Sequence, residues 1–285
     1  MVQNHLLTKT LKMEIKKNKT VLITGASSGI GKALAHEFAA DGFDIIGVAQ
    51  DENKLEQFAS EVRNRHGVEV MTVTKDLAHD GAGREVYDEV KKFNRTINIL
   101  VNDAGVGQSG NFVDIPFERD EELVHLNILA LTQLTKLYLK EMVARNEGRI
   151  LQLGSVAGFQ PGPLLAVYHA TKAYVVSLSE ALATELKDMG SEVTITCLCP
   201  GPTDTDFFSR ADLLDSNVYH HKDKLMQTPE EVAKGGYKAL MDGERIFIPG
   251  ASNKIMTFTR RAIPKSLQAR MQKKFYETHE EEVDN

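Results

Sequence analysis

Tyr168 and Lys172 are four residues apart in Tyr168-His169-Ala170-Thr171-Lys172. On a helix that spacing puts both side chains on one face. A phenol with a pKa of about 10 is a poor base near neutrality. A neighbouring ammonium stabilises the phenolate and brings it into range. A drop of about 3 units needs roughly 4 kcal/mol at 1.36 per unit, and a cation in a partly dry site supplies much of that. Taken singly, Tyr168 reads as a packed amphipathic ring, Lys172 as a solvated stem, Ser155 as a cap and Asn127 as a buried amide with its bonds made.

A second cluster suits an anion. Thr24-Gly25-Ala26-Ser27-Ser28-Gly29-Ile30-Gly31-Lys32 follows an apolar run and opens a helical pattern. Glycines there permit a tight turn and close backbone approach, and the new helix offers free N–H groups and the positive end of its dipole. The spacing Gly-x-x-x-Gly-x-Gly is one residue wider than the common dinucleotide fingerprint. A glycine turn alone is a weak signal; its place between the first strand and the first helix is the discriminating feature.

The elements that must hold these groups alternate almost from end to end. Strands are predicted at Thr20–Thr24, Asp44–Ala49, Glu69–Val73, Ile97–Asn102, Arg149–Gly154, Val193–Cys199 and Arg245–Ile248. Several are apolar at consecutive positions, as expected of strands covered on both faces. Helices are predicted at Lys32–Ala40, Lys54–Arg65, Gly83–Phe93, Arg119–Arg145 and Ala166–Met189. The alternation implies an α/β fold: a Rossmann-like, three-layer α/β/α, doubly wound parallel sheet of about seven strands. No Gly/Ser linker or repeat divides it. Residues 1–18 read as a flexible leader, with Met13 an alternative start. Residues 19–250 read as one dinucleotide-binding and catalytic domain, with 202–227 a lid. Residues 251–285 read as a helical extension, basic through Arg260, Arg261, Lys265 and Arg270 and acidic at its end.

The chain has 285 residues and a formal charge of -6, with no basic face for nucleic acid. No apolar stretch approaches the roughly 20 residues of a membrane span. Cys197 and Cys199 would share one face of a strand as buried thiols, with no disulfide framework and no metal-ligand spacing, so a cytoplasmic setting is expected.

The ordered set Gly25-x-x-x-Gly29-x-Gly31, Asn102-Asp103-Ala104-Gly105, Ser155, Tyr168-x-x-x-Lys172 and Pro200-Gly201 resembles the short-chain dehydrogenases/reductases over about residues 19 to 250. The resemblance implies hydride transfer between a nicotinamide dinucleotide and a carbonyl or secondary alcohol. It implies Tyr168 as acid/base and Ser155 as the hydrogen-bond partner of the substrate oxygen. Lys172 would lower the Tyr168 pKa together with the nicotinamide ring and bind the nicotinamide ribose, and Asn127 would hold a proton-relay water. His169 would face elsewhere, at the surface or one step removed from the site. Cofactor contacts carried over by position are Gly25, Ser27, Ser28, Gly29, Ile30, Gly31, Gln50, Asp76, Leu77, Asn102, Ala104, Gly105, Tyr168, Lys172, Pro200, Gly201, Thr203 and Thr205. Asp103 stands where the family usually repeats Asn.

Cofactor choice is made at Val48-Ala49-Gln50-Asp51-Glu52, which has neither the usual Arg of NADP enzymes nor the usual Asp of NAD enzymes. Asp51 and Glu52 oppose a phosphate; the closest-looking relatives lean toward NADP(H), with NAD(H) the alternative. Substrate contacts are expected from Ser155, Val156, Phe159, Leu165, Tyr168, Phe207 and Phe208, with Leu213 and Leu214 under the lid, suiting a hydrophobic ketone or aldehyde. A homo-oligomer, dimer or tetramer, is expected, with the extension as a packing or oligomer segment. Two other readings stay open: a catalytically silent nicotinamide-binding sensor or scaffold, and a sugar-nucleotide epimerase or dehydratase.

Overall fold

The computed structural model describes residues 19–259 and 263–278. The predicted leader, Arg260, Arg261 and the acidic end therefore lie outside the described residues. Seven parallel strands form one sheet: β1 Thr20–Thr24, β2 Asp44–Ala49, β3 Val70–Thr74, β4 Ile97–Asn102, β5 Arg149–Leu153, β6 Thr194–Leu198 and β7 Ile246–Phe247. Their spatial order is β3-β2-β1-β4-β5-β6-β7. The order reverses between β1 and β4, and a cleft opens at the carboxyl ends of those strands, where doubly wound sheets bind ligands. The third strand lies one residue later than its apolar pattern suggests, because Val70 pairs with Ile45 of β2.

Helices cover both faces. One apolar layer joins Leu34, Phe38, Phe58 and Val62 to β1, β2 and the carboxyl-terminal strands. The other joins Val86, Val90, Leu134, Tyr138 and Leu186 to the opposite side of the same strands. The covering helices are α1 Gly29–Ala40, α2 Glu52–His66, α3 Ala82–Lys91, α4 Phe117–Val124, α5 Leu131–Arg145 and α6 Ala166–Asp188. The long helix predicted over Arg119–Arg145 is not continuous: a π-helical turn, His125–Ala130, separates α4 from α5. Such turns are frequent at functional sites, and this one carries Asn127.

The segment after β6 forms three short helices, α7 Phe207–Arg210, α8 Asn217–His220 and α9 Lys222–Leu225, then α10 Pro229–Asp242. The extension forms α11 Ala251–Thr259 and α12 Lys265–Tyr276. α12 is tied to the 202–227 segment: Asn217 Nδ2 donates to Lys274 O at 2.9 Å, and Ser216 bridges Thr278. No helix among the described residues is long and apolar enough to cross a membrane.

Candidate active site

A cavity of about 790 Å³ runs from the glycine turn to Tyr168. At one end, Gly25, Ser27, Ser28, Gly29 and Ile30 line it. Ser28 caps α1 in extended conformation without a side-chain hydrogen bond, and the first turn has no acidic residue. The amides of Gly29 and Ile30 are therefore left for a ligand, while that of Gly31 is taken by Asp103. A Cβ at Gly25, where φ is +74°, would stand 2.9 Å from Asp103 Oδ2 and 3.0 Å from the Ala104 amide. Gly31 does not reach the cavity. A Cβ there would meet Asp103 Oδ2 and Gly25 O at 2.5 Å, so its task is to let α1 pack against the turn.

Thr24 Oγ1 accepts from the Asp103 and Ala104 amides at 3.1 Å each, which locks the end of β4 beside the turn. Ala104 and Gly105 line the cavity; Asn102 does not. Its amide donates to Thr135 Oγ1 and Gln152 Oε1 at 3.0 Å, so its side chain pins β4 to β5 and α5 instead of touching a ligand. Gln50, Asp76 and Leu77 border the other flank, together with Lys54 and Lys75, two basic groups that the sequence reading did not weigh. Pro200, Gly201, Thr203 and Thr205 close the middle.

At the far end, Ser155, Tyr168 and Lys172 converge. Lys172 lies one turn beyond Tyr168 on α6, with Nζ 5.8 Å from the phenol ring centre, and donates to Leu153 O at 2.8 Å. Burial pushes the Tyr168 phenol upward; repulsion from the Tyr276 phenol's charge adds to this, and a hydrogen bond from the Ser155 hydroxyl opposes it. Burial lowers the Lys172 ammonium, while the charge of Asp103 opposes that drop. Desolvation is thus the largest influence on the phenol.

Asp103 is the residue whose weight the sequence reading missed. It is buried, lines the cavity, and burial raises its carboxyl to about 7 against the opposing charge of Lys172 and a hydrogen bond from the Gly31 amide. Asn127 is withdrawn from the cavity. Its Nδ2 donates to Val106 O at 2.9 Å and to Thr171 Oγ1 at 3.1 Å, and its Oδ1 accepts from the Val106 amide. In this geometry the side chain holds the loop after Gly105 against α6.

Val156, Phe207 and Phe208 line the cavity that Tyr168 faces. Phe159 and Leu165 do not. Phe159 packs toward Val175, Cys197 and Cys199, on the far side of its short 3-10 turn. Leu165 is buried under the Tyr168 layer with Ala157 and Phe208. Leu213 is likewise core, and Leu214 is exposed. Cys197 and Cys199 are buried free thiols 3.5 Å apart. His169 is buried, not superficial: Nδ1 lies 2.9 Å from Gln160 O and Nε2 lies 3.2 Å from the Tyr276 hydroxyl. The extension also supplies unexpected cavity walls in Met256, Gln272, Phe275 and Tyr276.

A doubly wound sheet, a bare helix N-terminus at its switch point and a Ser–Tyr–Lys group at the same cleft define a nicotinamide-dinucleotide-dependent oxidoreductase scaffold. The family model for short chain dehydrogenases matches residues 19–213, and the chain belongs to that family. It is 36% identical over 175 residues to the very-long-chain 3-oxoacyl-CoA reductase of Bos taurus, covering 59% of this chain and 55% of that protein. The chain thus spans just over half the length of this relative. Among solved structures it is similar to a 7beta-hydroxysteroid dehydrogenase, with TM-score 0.80 and 25% identity over 92% of this chain and 99% of that one. It is also similar to a short-chain dehydrogenase from Sphingobium yanoikuyae in complex with NADPH, with TM-score 0.74 and 33% identity over 86% and 94% of the two chains.

Proposed function

We propose that the chain transfers hydride between NAD(P)(H) and a hydrophobic ketone, aldehyde or secondary alcohol, acting as a carbonyl reductase or alcohol dehydrogenase with Tyr168 as acid/base. The observation that carries this reading is the single cavity joining the α1 N-terminus to Ser155, Tyr168 and Lys172. The bound cofactor supplies or accepts the hydride.

This chain's residues supply the rest. The α1 amides and the Gly25 turn receive the pyrophosphate. Ser155 Oγ accepts from the Ala157 amide at 3.1 Å and donates to Pro200 O at a long 3.4 Å, a bond it exchanges for one to the substrate oxygen, stabilising charge building there. The Tyr168 hydroxyl gives its proton to that oxygen in reduction and takes it back in oxidation. Lys172, fixed by Leu153 O, keeps a positive charge behind the phenol. Phe207 packs on the Tyr168 ring at 5.1 Å between centres and excludes water. The similarity to an oxoacyl-CoA reductase and a hydroxysteroid dehydrogenase supports a large apolar substrate.

NADPH is favoured over NADH. Lys54, which has no ion pair among the described residues, offsets Asp51 at the edge of the cavity near Gln50; Lys75 lines the same flank but is paired with Glu85 at 2.9 Å. Free buried thiols support a cytoplasmic setting, and the exposed apolar faces of α11 and α12 support a homo-oligomer.

A spectrophotometric screen of hydrophobic ketones with each cofactor, run beside Tyr168→Phe, tests the central claim. The variant should bind cofactor and lose about 10²–10⁴-fold in turnover, the span of a general acid–base contribution. Near-normal rates would remove Tyr168 from the chemistry.

A further inference from the structure

We propose that Gln160 and Gln272 form a polar subsite in the substrate end of the cavity, selecting molecules that carry a neutral hydroxyl remote from the reacting carbon. This rests on the carbonyl/alcohol reading above and narrows its substrate class.

The inference starts from an inversion in α12. A surface helix ordinarily turns its apolar stripe inward. Here Gln268 and Gln272 are the most buried positions, 4% and 5% exposed, while Leu267 and Met271 are 48% and 50% exposed. Burying an amide is unfavourable unless its hydrogen bonds are made. Gln268 has an evident structural task, since its Nε2 donates to Ile263 O at 2.7 Å. Gln272 does not serve the helix in this way; it lines the cavity.

Its partner comes from another element. Gln160 follows the 3-10 turn after Ser155, is 7% exposed and also lines the cavity. Gln160 Nε2 donates to Gln272 Oε1 at 2.7 Å. That bond leaves Gln160 Oε1 without a partner, and Gln272 Nε2 makes no hydrogen bond among the described residues. The pair therefore retains one acceptor and one donor. Turning both amides over exchanges the two roles and still leaves one of each.

A purely mechanical clasp would not need this. The extension is already fastened by His169 to the Tyr276 hydroxyl and by Asn217 to Lys274 O. Phe208, Val218 and Phe275, one apolar cluster, also line this cavity. A hydroxyl fits this environment because it accepts from Gln272 Nε2 and, once the Gln160 amide turns its buried oxygen toward the cavity, donates to Gln160 Oε1. A carboxylate has no proton for the oxygen, and an ammonium has no lone pair for the nitrogen. Gln160 is held to this side of the cavity by its carbonyl contact with His169, and Gln272 by the helix that carries Tyr276.

The test uses the full chain with NADPH, androstan-17-one and its 3-hydroxy counterpart. Two quantities are measured: kcat/KM for each ketone, and the rise in melting midpoint that each ketone gives the cofactor-loaded protein. The wild type should favour the hydroxylated ketone about tenfold, the effect of one well-made hydrogen bond in a dry site. Gln272→Leu and Gln160→Met, on separate elements, should each bring that ratio close to one. The double variant should lose little more than either single, because both amides hold one group. Equal treatment of the two ketones by the wild type, or a preference that survives both substitutions, overturns the subsite. If neither ketone is reduced but only the wild type is stabilised more by the hydroxylated one, the subsite stands and the redox reading falls.

Discussion

At the scale of single residues, Asp103 is where this chain departs from its family with physical consequence. The unfolded chain releases that proton near pH 4, whereas in the folded protein burial holds it to about 7. Folding therefore takes up a proton between those values, and stability falls as pH rises from about 4 to about 7 before levelling off. Asp103→Asn keeps an acceptor for the Gly31 amide and removes the ionisable group. Its melting midpoint should exceed that of the wild type at pH 8 by several degrees, about 4 kcal/mol for a displacement of about 3 units at 1.36 per unit, and match it near pH 4. An unchanged difference across that range would show that the carboxyl is not buried as described. Lys54 offers a second test at this scale. If it meets the 2′-phosphate, Lys54→Ala should raise KM about tenfold for NADPH and little for NADH, a loss in keeping with a charge-assisted bond. Equal effects on the two cofactors would take Lys54 out of the selection.

At the scale of elements, α10 shows how strongly local sequence positions the site. Thr228 accepts from the Glu231 amide, Glu231 answers at the Thr228 amide, and Pro229 opens the helix. α10 packs on α1, whose N-terminus faces the cofactor end of the cavity, with Val232 and Leu240 in the layer that holds Leu34 and Phe38. Thr228→Ala should cost about 1 kcal/mol and lower the melting midpoint by about 2–4 °C; no change would mean that the cap is redundant. The same locality explains what could be read in advance. Strands with consecutive apolar residues and a glycine turn at a strand–helix junction announce themselves within ten residues, so the sheet and the Gly25–Ile30 cradle were legible. The π-helical turn at His125–Ala130 carries no glycine or proline to mark it, and the break went unseen. Phe159 and Leu165 are apolar residues between Ser155 and Tyr168. Which of two hydrophobic surfaces each meets depends on β6, β7 and the 202–227 segment, not on its neighbours in sequence. Gln272 was illegible for the same reason: a glutamine on a basic helix reads as solvent-facing until Gln160 arrives from 112 positions away.

At the scale of the whole molecule, the extension joins the substrate wall to the outer surface. Its inner side contributes Met256, Gln272, Phe275 and Tyr276 to the cavity. Its outer side exposes two apolar pairs, Ile255 with Phe258 on α11 and Leu267 with Met271 on α12, at spacings that place each pair on one helical face. Single exposed apolar residues are ordinary, but paired ones on adjoining elements mark association surfaces. If a second copy covers them, Phe258→Glu combined with Met271→Glu buries like charges in that contact, and the mass in solution should fall to that of one chain. The walls make a further demand on that outcome. Phe275 and Tyr276 pack with Phe208 and Val218, so a released extension loosens the substrate end and leaves the glycine turn, held by β1, β4 and α1, in place. The dissociated variant should show a several-fold higher KM for hydrophobic ketones than for NADPH, each relative to the wild type. Light scattering beside steady-state kinetics checks both halves. A wild type that is already a single chain at micromolar concentration ends the oligomer proposal. A mass change with both KM values intact would mean that the subunit contact and the substrate wall are independent.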